Sequence, residues 1–293
     1  MTKKLLFGLL VALVSLKFTV FSQEIHQYGG SASELHIKGF KESFGTLSPE
    51  QQSAIVSEII NLGKQFEATL DSADYYISLR DRRIAELKNT PVTGPEEKHT
   101  LNRDIINEYI HVNFDSALDV GKHNLELALS TGRTDLIANS RIDLTNIFIQ
   151  GGYFREAVEQ LDSIDMAQLD DDHRAEALLA RYFLEFENGF FFAWNRQNPD
   201  ISEIRMRELY QELISLLPDD DYDIYRLKST LAFYKHRYVD ATGYCDILLL
   251  KNSNPDSWDY IAELGNMGYN KLGAHDYVAA MDYMVKSATL AMR

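Results

Sequence analysis

The segment Arg141-Ile-Asp-Leu-Thr-Asn-Ile-Phe-Ile-Gln-Gly-Gly-Tyr-Phe-Arg-Glu-Ala-Val-Glu-Gln-Leu-Asp-Ser-Ile164 decides the fold. Leu144 and Phe148 stand four apart and share one face of a helix. Gly151-Gly152 breaks that helix. Phe154 opens a second one, with Ala157, Leu161 and Ile164 continuing at steps of three, four and three on a single stripe. A small residue at 157 is a packing requirement, because two helix axes that cross closely leave no room for a longer side chain. The segment therefore predicts two antiparallel helices joined by a glycine turn.

Weaker copies surround it. Phe114, Ala117, Gly121, Leu125 and Ala128 read as the second helix of a preceding unit, and Tyr238, Ala241, Cys245 and Leu248 as that of a later one. Leu264, Gly265, Tyr269, Gly273, Tyr277, Ala280 and Met284 form a last copy, in which the stretch from Gly273 to Tyr277 reads as a turn two residues too long. Large residues on a first helix, a glycine turn, an aromatic and then a small residue are the tetratricopeptide pattern. Leu144, Phe148, Gly152, Phe154, Ala157, Leu161, Ala241 and Ala280 are the expected repeat-packing residues. No segment keeps a period of two, and turns are marked at Gly151-Gly152, Asn198-Pro199, Pro218-Asp219, Asn254-Pro255 and Gly273. The fold class is all-α: antiparallel helical hairpins stacked as a tetratricopeptide-like right-handed solenoid.

Outward from the repeats, the chain opens with Lys3-Lys4, an apolar run from Leu5 to Leu16, and Val20-Phe21-Ser22 before polar Gln23-Glu24. This is the layout of a secretory signal, 1–22, and the apolar run is too short to span roughly 30 Å of hydrocarbon. A leader over 23–48, rich in Gly, Ser and His, has no sustained period. Ser48-Pro49-Glu50 then supplies a cap, a proline at the first helical position and an acid in the first turn. A long helical region follows over 49–90, with Phe66, Leu70, Ala73, Ile77, Ile84 and Leu87 in a heptad-like stripe. Residues 91–95, Pro-Val-Thr-Gly-Pro, form a linker, and the repeat domain occupies 96–293.

Signal removal deletes Lys3, Lys4 and Lys17 and takes the formal charge from −15 to −18. Such a surface repels nucleic acid, so no direct nucleic-acid binding by this segment is expected. A single cysteine, Cys245, excludes an internal disulfide, and its apolar helical setting reads as a small buried hydrophobe.

Tyr76 through Lys88, Asn107 through Leu118 and Arg141 through Ile164 occur in an order that resembles one family: membrane-anchored, tetratricopeptide-containing transcriptional regulators of Gram-negative bacteria, whose N-terminal half carries a domain of unknown function. The likeness covers about residues 67–293. It implies an exported helical-repeat region followed by a transmembrane helix, a coiled coil and a DNA-binding end. None of these last three occurs in the present sequence, and the resemblance carries no catalytic residue with it.

Motifs that could carry chemistry fail on inspection. Asp219-Asp220-Asp221-Tyr222-Asp223 begins like a calcium loop, but Ile224 stands where glycine is needed and Thr230 where the bidentate Glu belongs. Both this run and Asp170-Asp171-Asp172 read as acidic helix starts. His99, His111 and His123 recur every twelve residues, which points them three ways around a helix. No catalytic, cofactor-binding or metal-ligating set is expected, and no cofactor. Phe190-Phe191-Phe192-Ala193-Trp194 is the densest aromatic stretch; three adjacent phenylalanines cannot share one groove, which leaves Trp194 and Arg196 as candidate groove contacts.

The reading is a non-catalytic, exported module that binds a protein or peptide in the periplasm, the sensing half of a regulator tethered to the inner membrane through a further C-terminal segment. The rival readings are a cell-surface glycan-binding component, with Trp194 and Trp258 as platforms, and an enzyme of unrecognised type. The last helix carries Asp282, Lys286 and Arg293 on one narrow stripe, while Tyr277, Met281, Met284 and Val285 are among the apolar residues around the rest. One neighbouring helix cannot cover so wide a face. The expectation is that the chain is truncated there, continuing into more helix, or that this face self-associates or docks on a partner.

Overall fold

A computed structural model describes residues 45–71, 73–192 and 200–291. Among them are twelve α-helices: α1 Pro49–Leu70, α2 Ala73–Lys88, α3 Pro95–Tyr109, α4 Phe114–Thr131, α5 Thr134–Gly151, α6 Phe154–Asp162, α7 Asp171–Phe192, α8 Asp200–Leu216, α9 Tyr222–Tyr234, α10 Tyr238–Lys251, α11 Trp258–Gly273 and α12 Tyr277–Ala291. A 3-10 turn, Met166–Gln168, separates α6 from α7, and no strand occurs among the described residues. The chain forms two compact units, one of Ser78–Ile224 and one of Met1–Ile77 with Tyr225–Arg293. Residues 1–22, read as a signal, and most of 23–48, read as a leader, lie outside the described residues.

Helix starts follow the side chains available. At α1, Gln51 N–H donates to Ser48 Oγ at 3.3 Å and Ser48 N–H donates to Gln51 Oε1 at 3.0 Å, a reciprocal capping box with Pro49 at the first helical position. The acidic runs act as caps too: His173 N–H donates to Asp170 Oδ1 at 2.9 Å, and Asp223 N–H to Asp221 Oδ1 at 2.8 Å.

In the 78–224 unit, α5 and α6 make the hairpin of the deciding segment. Gly152 is left-handed at φ 76°, and Tyr153 N–H closes the helix end on Phe148 O at 2.8 Å. Ala157 is fully buried at the crossing, and with Leu161, Ile164 and residues of α5 and α7 it forms one apolar core. Leu144 belongs to a second core, shared with Ile106, Ala117 and Ile147, and Phe148 packs against both. A Cβ at Gly121 of α4 would stand 2.9 Å from Leu144 Cδ2, so these helices meet at glycine. Phe114, which opens α4, stacks on Tyr153 with centroids 5.3 Å apart.

The other unit repeats this hairpin with a different turn residue. His236 (φ 57°) and His275 (φ 64°) take the left-handed position of Gly152. The same helix-closing bonds follow, Arg237 N–H to Ala232 O at 2.8 Å and Asp276 N–H to Lys271 O at 2.9 Å. Histidine is among the residues that tolerate this conformation, and each imidazole Nδ1 lies 2.8 Å from the hydroxyl of the tyrosine two residues on, Tyr238 or Tyr277. The last copy is thus two residues out of the register expected from sequence at its turn. Gly273 ends α11 and His275 makes the turn, so the aromatic follows by two residues as Phe154 follows Gly152. The close contact within that hairpin is likewise at Gly268, where a Cβ would lie 2.7 Å from Met284 Cγ, whereas Gly265 has only Ser287 Oγ at 3.3 Å. Counted back from the turn, Gly268 matches Thr145 and Ser229, both buried.

The 49–90 stripe is not one seam. Two helices, α1 and α2, share this stretch; Phe66 is buried, Leu70 is 48% exposed and Ile77 is exposed. The terminal face of α12 is also not open where sequence reasoning placed it. Ala280 and Met284 face α11, while Met281 and Val285 are buried against Ile59, Leu62 and Phe66 of α1. Periodicity shows that a face is apolar; it cannot show that a helix from the other end of the sequence covers it.

Ala157→Leu is expected to destabilise the chain by roughly 1–3 kcal/mol through overpacking at the α5–α6 crossing. Thermal unfolding checks it, and an unchanged melting temperature removes Ala157 from that crossing.

Candidate functional site

The first helices of the 78–224 unit, α3, α5 and α7, pack against one another in sequence. α5 is covered on most of its circumference, yet Asn139, Asp143, Asn146 and Gln150 follow one another at steps of four, three and four. That spacing is one helical face, and it is polar. Asn146 and Gln150 are exposed, and Asn139 Oδ1 is shielded from solvent without a hydrogen-bond partner. Thr100, Arg103 and Asn107 make the corresponding face of α3.

Arg103 bridges the two helices. Its Nε donates to Asp143 Oδ2 at 2.9 Å and its Nη2 to Asp143 Oδ1 at 3.2 Å. Burial pulls the guanidinium pKa down, but the charge and hydrogen bonds of Asp143 outweigh it and the net shift is upward. Burial pushes the Asp143 carboxyl up despite Arg103 beside it, and Glu176 of α7 pushes the same way. Glu176 is exposed and close enough to act on both members of the pair. Asp143, Glu176 and Asp104 all act on the one guanidinium, so carboxylates outnumber cations around it.

Beneath this band the same helices are tied by buried polar groups. His99 Nε2 lies 3.1 Å from Leu136 O, which can only accept, and 2.8 Å from Ser140 Oγ, so the ring proton belongs on Nε2. Burial, then Arg103, lowers the His99 pKa and keeps the ring neutral. Asn102 Nδ2 donates to Asn124 Oδ1 at 3.1 Å, and Asn124 Nδ2 to His99 O at 3.3 Å. His99 is thus a structural residue, while His111 and His123 are exposed.

A depression of about 290 Å³ lies between α6, α7 and α8, with Leu161, Met166, Leu178, Leu209, Arg174 and Arg181 among its lining residues. Arg181 pairs with Asp162 at 2.6 Å and Arg174 with Asp171 at 3.2 Å, so both cations are engaged. Trp194 and Arg196 lie outside the described residues. No three His, Cys, Asp or Glu side chains converge as a metal site among the described residues. No described helix is long and apolar enough to cross a membrane.

The α3–α5 polar band escaped the motif search because it contains no nucleophile, ligand pair or glycine loop. Its signal was present in the sequence as four polar residues at 4-3-4 spacing along α5.

The second buried polar group sits in the other unit. Cys245 of α10 is fully buried, with Ser229 Oγ at 3.2 Å; its thiol donates to Glu263 Oε2 at 3.6 Å, and Asn270 Nδ2 donates to the sulfur at 3.3 Å. Burial, then the charge of Glu263, raises the thiol to about 12, which leaves no useful thiolate near neutrality. Burial also raises the Glu263 carboxyl above its ordinary value of 4.5, with Arg226 opposing. A raised carboxyl binds its proton more tightly folded than unfolded. Its stabilising effect is full below the unfolded pKa and is lost as pH rises through the folded one. Glu263→Gln keeps an acceptor for the thiol and removes the charge. The variant should melt above the parent at pH 7.5, with the advantage shrinking toward pH 4; a difference independent of pH would contradict this account.

A family model described as the SusR N-terminal TPR domain, a tetratricopeptide-repeat domain, matches residues 70–293. A search of curated proteins finds no match to the chain. The matched region takes in α2 through α12, begins at the last residue of α1 and spans well over half of the chain. The twelve helices among the described residues, their paired hairpins and this match agree, and the chain belongs to the family of the SusR N-terminal TPR domain.

Proposed function

We propose that the chain is an exported, non-catalytic binding module in which the polar band on α3, α5 and α7 takes a protein or peptide segment carrying a basic side chain. Helical-repeat domains of this type serve as protein-interaction modules, and their stacked helices present extended surfaces for it. The observation that carries the proposal is the 4-3-4 row of Asn139, Asp143, Asn146 and Gln150 beside Arg103 and Glu176. Carboxamides both donate and accept, which suits the alternating groups of a peptide backbone, and the Asn139 oxygen lacks a donor. The surplus carboxylate of Glu176 favours a Lys or Arg of the ligand.

The same reading places the mature chain, beginning at Gln23, in the periplasm, as the sensing half of a membrane-tethered regulator. The signal layout over residues 1–22 and the family's description as an N-terminal domain support it. Glycan binding is the rival that the polar band also permits, because carboxamides and carboxylates hydrogen-bond sugar hydroxyls.

Arrays of 15-residue peptides, probed beside a carbohydrate panel with the mature chain, separate the two. Lys- or Arg-bearing peptides should bind, and Glu176→Lys should weaken them about 10-fold or more, the scale of one lost charged hydrogen bond, with an unchanged melting temperature. Binding confined to carbohydrates, or peptide binding indifferent to Glu176→Lys, overturns the proposal.

A further inference from the structure

α12 shows two apolar faces, and each has its own occupant. Tyr277, Ala280 and Met284 pack with Leu272 of α11, as the second helix of any repeat packs on its first. Met281 and Val285, with Ala288 beside them, instead meet Ile55, Ile59, Leu62 and Phe66 of α1. In α4, Leu118 and Leu125 stand four and eleven residues beyond the opening aromatic, Phe114, and pack in the cluster that α4 shares with α3 and with α5, the first helix of the following hairpin. Met281 and Ala288 stand at the same offsets from Tyr277. α1 thus occupies the face of α12 on which the first helix of a following repeat would lie.

Three further facts bear on how firmly it is held. All of α1 but Leu70 precedes the region that the family model matches, so this face of α12 is covered by a helix from outside that region. Its inward residues, Ile55, Ile59, Leu62 and Phe66, run at steps of four, three and four, while Gln51, Ser57, Glu58, Asn61 and Lys64 face solvent. Only residues 71 and 72 separate α1 from α2. An amphipathic helix seated on one neighbouring helix and joined by a short connection is the kind of element that is exchanged between copies.

We infer that α1 is an exchangeable cap: the Met281–Val285 face of one chain accepts α1 from a second copy of the chain, and the intramolecular seat seen here is the closed form of that interaction. The occupant is argued from the chain itself, because helix and face are already complementary and identical copies carry both. The inference is independent of what the polar band binds, since α1 and α12 make no part of that band.

The test uses two full mature chains, each spoiled on one side. Leu62→Asp disables α1 and leaves the face intact; Met281→Asp disables the face and leaves α1 free. Each alone should elute as a monomer, and their equimolar mixture should run at twice the monomer mass by light scattering. A mixture that stays monomeric while both variants keep native circular dichroism overturns the proposal. If Met281→Asp fails to fold, a synthetic peptide of residues 49–70 replaces it: the peptide should bind Leu62→Asp at least tenfold more tightly than it binds the parent, and equal or absent binding defeats the idea. In the unmodified chain, hydrogen exchange supplies a check without substitutions. Amides of α1 should exchange faster than those of α11 and α12, and equal protection would mean that the cap does not open by itself.

Discussion

The hairpin crossing sets the geometry from which the rest follows. A residue in the left-handed conformation closes the first helix, an aromatic stands two residues on, and an alanine stands three beyond it. Gly152, Phe154 and Ala157 show this arrangement, as do His236, Tyr238 and Ala241, and His275, Tyr277 and Ala280. All three alanines are buried at 2% exposure or less. The reversed turn fixes where the second helix starts, and the alanine fixes how near it can come. A longer side chain would push the axes apart and open the apolar clusters on both sides, so the small residue acts on the whole unit rather than on its own site.

Much of this was legible in sequence where a local rule carried it. Ser48-Pro49, Gly152 and the Phe154–Ala157 step each follow from steric or hydrogen-bonding demands within a few residues, and each matches an observed cap, turn or crossing. The histidine turns were not legible, because glycine is the expected left-handed residue and the contact of His275 with Tyr277 appears only in the structure. Reading Gly273 as the turn shifted the last copy; the lack of a side chain there instead admits the ring of Tyr238. The polar band was visible as a period but not as a site, since hydrogen-bonding groups without a reactive member match no motif.

The buried polar groups explain why this scaffold reads as a binder. The Arg103–Asp143 pair, neutral His99 and the Asn102–Asn124 bond join α3, α4 and α5 at fixed register, and apolar contacts alone would allow neighbouring helices to slip. A buried pair adds little net stability over an apolar substitute, though losing one partner is costly, so its contribution is specificity of packing. Cys245 is similarly committed, with its thiol raised to about 12 and hydrogen-bonded on both sides. Cys245, Glu263, His99 and Asp143 are thus internal, whereas the exposed groups on the band are carboxamides and the carboxylate of Glu176.

Each hairpin of a repeat array leaves one apolar face for a neighbour, and that face has to be covered. Here α12 stays apolar on two faces, and α1 supplies the polar exterior: its Ile59, Leu62 and Phe66 turn inward while Glu58, Asn61 and Lys64 turn out. Covering this face with a helix from much earlier in the sequence has an entropic cost that a neighbouring helix avoids, since a long loop is closed when the two surfaces meet. The seam therefore depends on the rest of its unit being folded, and it gains the least from local contacts. An element placed last in that order is also the first that can leave without unfolding what it covers.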